Sequence, residues 1–415
     1  MLVLPFAAAP ALPTVPGPAE SAAAQDPHVP PAELAPVPIA LLVDIGSGQT
    51  LYAKDPNRRF VPASITKVMT LYVAFELMAH GQLDPNASFR MSEDAWKHWR
   101  RVGSTLFLDR EHDITVNDLV LGIANVSAND GCVVLAEGAA GSVANWVALM
   151  NAQARRLGMN DSHFGTPNGW MDDGETYVSA RDLATLATAM VTRHPDLYRR
   201  YIGHKTMTWN GITQRNHDPI LGKLEGADGI KTGFTNQAGY GFLGSAIRGG
   251  RRLVMVVAGV DRHQDRARAS TALIDWGFAA FESRSLFPAG ASVGTAQVQN
   301  GAHRSVPLVT PVAYSAASPR GTRDPVALRI IYDGPLAAPI LKGTPVADLE
   351  IRVGSQPPHR LPLVAGADVP RAGLFTRLLN GLCGLFSCAS PAGSSLSKAG
   401  RGRASLPRPA CWPRR

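Results

Sequence analysis

Residues 62–72, Pro62-Ala63-Ser64-Ile65-Thr66-Lys67-Val68-Met69-Thr70-Leu71-Tyr72, open a run that reads as a helix from Ser64 to about Ala79. Ile65, Val68, Met69, Tyr72 and Leu77 recur at the spacing of one helical face. On such a helix positions i and i+3 are neighbours, so Ser64 Oγ and Lys67 Nζ come together. A serine hydroxyl is a weak nucleophile until a base lies within hydrogen-bond reach. A lysine serves as that base only when burial or a nearby cation lowers its pKa. The spacing alone decides little, because Ser395-Leu396-Ser397-Lys398 near the C-terminus repeats it. Its weight comes from what surrounds it.

Upstream, Pro-rich residues 26–38 lead into two strand-like runs, Ile39–Asp44 and Gln49–Ala53, with the hairpin signal Gly46-Ser47-Gly48 between them. Downstream, Thr115-Val116-Asn117-Asp118 has the form of an N-terminal cap before the apolar run 119–123. A further helix is expected near Asp130, and another over Val143–Leu157, ended by Gly158. Residues 240–247 and 253–260 read as a second hairpin through Gly249-Gly250. Strands open this segment, helices fill it and strands close it, which predicts an α+β fold: a mixed sheet drawn from both ends with a helical cluster packed on it. From about residue 286 helical periodicity gives way to strands. Leu349, Ile351 and Val353 alternate with Asp348, Glu350 and Arg352, and 305–314 and 326–332 look similar. A small all-β domain is expected over 286–370, after a first domain over 25–285.

Two more triplets follow the first in order, Ser127-Ala128-Asn129 in an interhelical turn and Lys231-Thr232-Gly233 on a strand. Together with Ser64-x-x-Lys67 they form a set used by serine β-lactamases and penicillin-binding proteins. The chemistry gives each residue a task. Lys231 is the second cation beside Lys67, Ser127 can relay a proton to the leaving amine, and Asn129 can hold Lys67 and the substrate amide. If Lys231-Thr232-Gly233 lies on an edge strand, its backbone can pair with an extended peptide, with Gly233 leaving room for the approach. The amides of Ser64 and Phe234 are the expected pair of donors to an oxyanion.

The likeness extends beyond the triplets. The stretch Ser127-Ala128-Asn129-Asp130-Gly131-Cys132, the segments 160–169 (NDSHFGTPNG) and 178–182 (VSARD), and 228–235 (DGIKTGFT) followed by Ala238-Gly239-Tyr240 resemble the serine D-alanyl-D-alanine carboxypeptidases, the low-molecular-mass penicillin-binding proteins. The match spans roughly residues 36–285, and the family carries a β-rich domain after it. The resemblance implies removal of the terminal D-alanine from peptidoglycan stem pentapeptides through an acyl-serine, and acylation by β-lactams. It implies Ser64 as nucleophile, Lys67 as general base, Ser127 as proton relay, Asn129 as a positioning group and Lys231 as electrostatic support, with Thr232, Gly233, Phe234 and Thr235 along the substrate. A free C-terminal carboxylate suits an arginine. Arg266 matches the family's position, Arg262 competes with it, and Thr235 is a weaker second ligand. Phe234 stands where a polar side chain is common. Asp172, Asp173 and Glu175 leave open a β-lactamase with an acid-activated water, and a D,D-endopeptidase is equally close. A catalytically silent wall-binding scaffold is the reading of another class, against which the intact Ser64, Lys67, Ser127 and Lys231 argue.

The formal charge is +8, from 41 Lys+Arg and 33 Asp+Glu over 415 residues. Residues 371–415 hold eight basic side chains and no acid, which is the whole excess. The neutral remainder argues against a nucleic-acid partner. No run reaches the ~18 apolar residues of a spanning helix. With Cys132 alone in the main body and no metal-ligand spacing, neither an internal disulfide, a metal nor a cofactor is expected. The apolar start with small residues at Ala22 and Ala24 reads as a secretory signal over 1–24 or as a Pro/Ala-rich arm. Leu374, Phe375, Leu378, Leu379, Leu382, Leu385 and Phe386 share one helical face, with Arg377 opposite. An amphipathic membrane-anchor helix is expected over 371–388, then a disordered basic tail over 389–415. Export to the periplasmic side of the cytoplasmic membrane, with peripheral attachment, follows from these two ends.

Overall fold

The computed structural model describes residues 28–373. The expected signal (1–24), all but the first three residues of the expected anchor (371–388) and the tail (389–415) lie outside the described residues.

A five-stranded sheet carries the first domain, in the order Thr50–Lys54, Ile39–Asp44, Arg251–Val260, Gly239–Arg248, Ala227–Thr235. Every neighbouring pair is antiparallel, which refines the expected mixed sheet. The reason lies in the connections. Three tight hairpins supply three of the pairs, and Ile39–Asp44 closes the sheet by running opposite Arg251–Val260, Ile39 beside Ala258 and Asp44 beside Leu253. The chain's first and last strands in this domain are therefore one ladder.

Both faces of that ladder are covered. Val254, Val256 and Ala258 point into the helical cluster, while Leu253, Met255 and Val257 point to the opposite face. A strand buried on both sides reads as a continuous apolar run, as 253–260 does. Eight helices are described in chain order: α1 Lys67–Ala79, α2 Glu93–Trp99, α3 Val116–Asn125, α4 Asn129–Ala140, α5 Val143–Leu157, α6 Ala180–Arg193, α7 Pro195–Tyr201 and α8 His263–Ala280. The larger core joins α1, α3, α4, α5 and α6 to one sheet face through residues such as Met69, Tyr72, Leu119, Ile123, Leu135, Trp146 and Leu186. The other face packs Leu42, Phe242 and Met255 against Ala269, Leu273 and Ile274 of α8. Each fully buried Leu or Phe contributes about 1.5–3 kcal/mol of transfer free energy, so these clusters hold the layers together.

Local signals set the helix ends. Thr115 Oγ1 accepts from Asp118 N at 3.0 Å and donates to Asp118 Oδ2 at 2.7 Å, capping α3. Gly158, at φ +74°, ends α5 in the left-handed conformation that glycine adopts without strain. One expectation changes. Ser64 is not on the α-helix itself, because Ala63–Thr66 form a 3-10 turn and α1 begins at Lys67.

The β-rich part begins at Phe281, where α8 runs directly into a strand (Phe281–Phe287) paired with Tyr314–Pro319. A six-stranded sheet follows, in the order Val326–Ile331, Pro345–Val353, His359–Ala365, Ser305–Val309, Ser292–Gln299, Leu336–Ala337. Leu349, Ile351 and Val353 are all buried in its core. The single strand expected over 305–314 is two strands in different sheets, broken beside Pro311, which has no N–H for a ladder. The two domains meet at the first hairpin. Ser315 N donates to Gly46 O at 2.9 Å. Buried Gln49 donates to Ala317 O at 2.9 Å, accepts from Ala317 N at 2.6 Å and donates to Gln356 Oε1 at 2.8 Å.

Candidate active site

The 3-10 turn brings Ser64 and Lys67 closer than an α-helix would, since at three residues per turn positions i and i+3 eclipse. Lys67 Nζ donates to Ser64 Oγ at 2.8 Å and to Asn168 O at 2.6 Å. Ser64 is half-buried, whereas Lys67 is fully shielded from solvent. The turn is held by tight backbone approaches. Ala63 sits at φ +49°, a region a non-glycine residue occupies only under constraint. Gly169 passes so close that a Cβ there would lie 1.9 Å from Ala63 O.

Lys231 is carried by the edge strand Ala227–Thr235, which packs against the same turn. A Cβ on Gly233 would stand 2.4 Å from Pro62 O and 3.1 Å from Ile65 Cγ1. The room on the Cβ side of Gly233 is thus filled by the nucleophile's own turn. Lys231 Nζ donates to Thr232 O at 3.1 Å and is buried. Burial lowers Lys67 to about 8, an effect opposed by the Asp130 carboxylate. Burial lowers Lys231 to about 7, and the charge of Lys67 adds to that shift. Two buried ammonium groups acting on each other make the second proton costly, so one of them is readily neutral near physiological pH.

Ser127 occupies the turn between α3 and α4, 4% exposed and at φ +65°. The Asp130 carboxylate at the start of α4, three residues on, acts electrostatically on Lys67. Burial drives the Cys132 thiol up to about 12 and keeps it an inert core group. Asn129 directs its donors to a neighbouring loop. Its Nδ2 donates to Val102 O at 2.9 Å and its backbone N to Ser104 O at 2.8 Å, so it ties down the 101–108 loop. The carbonyl that holds Lys67 is that of Asn168 instead. Asp130 completes the tie, its carboxylate accepting from the amides of Leu106, Leu108 and Gly131 at 2.8–3.1 Å. Trp99 meets Trp170 edge-on at 6.1 Å above this loop.

Along the strand, Thr232 is 8% exposed, and Phe234 is 47% exposed, stacked on Tyr240 at 4.2 Å. The Thr235 hydroxyl accepts from Ala238 N at 3.0 Å and closes the hairpin. The two arginines separate cleanly. Arg262 is mostly exposed and pairs with Asp265 at 2.6 Å. Arg266 is 3% exposed, with its guanidinium 5.6 Å from the Tyr240 ring centre, beside the strand that carries Lys231. Burial lowers Arg266 to about 10 while Asp218 and Tyr240 oppose the shift, and a guanidinium in that range stays charged.

A buried Ser–Lys pair, a second buried lysine on an adjacent edge strand and a serine in an interhelical turn make a constellation for acyl transfer to serine. Comparison with known proteins agrees. The family model for D-alanyl-D-alanine carboxypeptidase matches residues 29–262, and that for the C-terminal domain of penicillin-binding protein 5 matches 281–371. The chain belongs to the serine D-alanyl-D-alanine carboxypeptidase family. Among its relatives in this family, D-alanyl-D-alanine carboxypeptidase DacA of Haemophilus influenzae is 35% identical over 354 residues, 84% of this chain and 90% of that protein. DacD of Escherichia coli K12 is 34% identical over 343 residues, 81% and 88% of the two chains. The solved structure of penicillin binding protein 5 from Haemophilus influenzae superposes with a TM-score of 0.67 at 33% identity, covering 81% of this chain and 98% of that one. Penicillin-binding protein D2 of Listeria monocytogenes, solved with ampicillin bound, superposes with a TM-score of 0.53 at 27% identity over 58% of this chain and 97% of that one.

For this carboxypeptidase, sequence reasoning had not assigned Asn168, Asp130 or Asp218. Asn168 lies within the central segment already marked by its resemblance. Asp130 follows the second triplet directly. Asp218, whose charge acts on Arg266, had no signal of its own, because which groups it neighbours is set by tertiary packing.

Proposed function

We propose that the family's reaction, release of the terminal D-alanine from a peptide ending in D-Ala-D-Ala, runs in this chain through Ser64. The carrying observation is the 2.8 Å contact between Ser64 Oγ and a buried Lys67 whose pKa burial has lowered. With Lys67 neutral, the hydrogen bond reverses and the Ser64 hydroxyl donates to its lone pair. Ser64 then attacks the penultimate D-alanine carbonyl, its proton passing to Lys67. The amides of Ser64 and Phe234 receive the oxyanion. Ser127 relays a proton to the departing D-alanine amine, Lys231 supports the developing charge, and Arg266 binds the leaving carboxylate. Water hydrolyses the acyl-serine in the second half. Phe234, Thr232 and Thr235 line the extended peptide, and a β-lactam presents the same carbonyl and carboxylate. Cell-wall peptidoglycan is the substrate class, with export and attachment of 371–388 to the membrane surface bringing the enzyme to it.

None of the three acids that left a β-lactamase open makes a hydrogen bond to Ser64 or Lys67 among the described residues. Asp173 and Glu175 are exposed, and Asp172 is engaged by Thr176, while the same segment meets Lys67 through the carbonyl of Asn168. The test is incubation with a D-Ala-D-Ala peptide and, separately, with a penicillin. Release of D-alanine by the wild type and its loss in Ser64→Ala support the reading. Rapid penicillin turnover without D-alanine release would replace it with a lactamase.

A further inference from the structure

Arg266 is poorly held by the contacts around it. Its one hydrogen bond, to Gly241 O, is 3.5 Å long, and its Nε is buried without a partner. One turn further along α8, Ser270 is fully buried and its hydroxyl is also unpartnered. Arg266, Ala269, Ser270 and Leu273 form one buried face of the helix. Ile220 of the 216–221 loop belongs to the same buried cluster as Ala269 and Leu273 of this face.

Asp218 is set rigidly in that loop. Its Oδ1 accepts from the amides of Ile220 at 2.8 Å and Leu221 at 2.9 Å. Asn216 fixes the entry, accepting from Asp218 N at 2.9 Å and donating to His204 O at 2.9 Å. The second carboxylate oxygen, Oδ2, is shielded from solvent and has no partner. Unpartnered buried polar atoms call for an explanation one by one. Here an anionic acceptor, a cationic donor and a hydroxyl stand unpaired between one loop and one helix face. The charge of Asp218 also acts on Arg266 and on Lys231.

We propose that Asp218 is a positioning residue for Arg266, engaging the Nε edge of the guanidinium through a buried water shared with the Ser270 hydroxyl. A buried water makes two to four such contacts. The guanidinium's other edge is thereby aimed at the carboxylate of the departing D-alanine, and Asp218 sets selectivity for substrates that end in a free carboxylate. This rests on the reading of Arg266 as the carboxylate receptor.

The experiment compares a peptide ending in D-Ala-D-Ala with the same peptide ending in a carboxamide, in wild type, Arg266→Ala, Asp218→Asn and Ser270→Ala. Arg266→Ala should abolish the preference for the free acid. Asp218→Asn should raise the free-acid KM relative to the carboxamide KM about tenfold, the scale of one charge-assisted contact, while any effect through Lys231 falls on both substrates alike and cancels in that ratio. Ser270→Ala should move the same ratio in the same direction by about two- to threefold, and it reports even if the Asn variant fails to fold. A preference lost in Arg266→Ala but intact in Asp218→Asn and Ser270→Ala overturns the inference and leaves the receptor reading standing. A preference intact in Arg266→Ala overturns the receptor reading itself. Equal losses on acid and carboxamide in Asp218→Asn would mean a merely structural role and also overturn the proposal.

Discussion

Acylation of Ser64 should follow a bell-shaped pH profile set by the two buried lysines. The reactive form has Lys67 neutral and its neighbour charged, one of the two singly protonated forms of the pair, and its share rises and falls with pH together with the other. With steps near 7 and 8, that state is most populated between them. An ordinary lysine at 10.5 would be neutral in roughly 0.03% of molecules at pH 7, against roughly a tenth at a pKa of about 8. Burial thus supplies a roughly 300-fold gain in the competent base. Two units below the first step the singly protonated pair falls to about 1%, so the rate at pH 5 should be roughly 50- to 100-fold below the optimum. The sign follows from the charges: lowering pH protonates Lys67 and removes the base, while raising it strips the supporting cation. The assay is single-turnover acylation by a fluorescent penicillin from pH 5 to 10, with circular dichroism confirming the fold at each pH. Replacing Lys231 with Gln removes one charge of the pair and should move the rising limb toward higher pH. A rate still climbing tenfold per unit at pH 9–10, or one flat from 5 to 10, would refute the reasoning.

Further outcomes follow from the packing around the site. Gly169→Ala places a Cβ 1.9 Å from Ala63 O at φ +70°, so it should cost about 3 kcal/mol or more and suppress acylation, read by thermal melts and penicillin labelling. Asp130→Ala removes the acceptor of two loop amides and of the Gly131 amide in α4, and should destabilise by about 3 kcal/mol or more and release the Leu106 and Leu108 amides to hydrogen exchange. Gln49→Ala cuts the paired bonds to Ala317 and should lower stability by about 2 kcal/mol with acylation within twofold of wild type, seen by calorimetry alongside the labelling assay.

What could be read in the chain alone was whatever repeats locally. Alternation located Leu349–Val353 and the hairpin strands, and a capping pattern located the start of α3 at Thr115. The ordered triplets marked Ser64, Lys67, Ser127 and Lys231 because the chemistry demands those side chains at those spacings. Less legible were choices made by distant partners. Whether Ser64 begins an α-helix or a 3-10 turn depends on Gly169 and Gly233 pressing on residues 62–66. Asn129 could be expected to hold substrate, yet its donor goes to Val102, a loop with no pattern in sequence. Arg262 and Arg266 are one helical turn apart, and only the family resemblance favoured Arg266 over its neighbour. Tertiary packing beside Tyr240 buries the second and leaves the first paired with Asp265 at the surface.

The nucleophile can be tested most directly by incubating the protein with excess penicillin at pH 7.5, followed by intact mass and peptide mapping. One adduct per chain, on the peptide that contains Ser64, and none in Ser64→Ala, is the predicted result. An unlabelled wild type, or labelling that persists in Ser64→Ala, would contradict it.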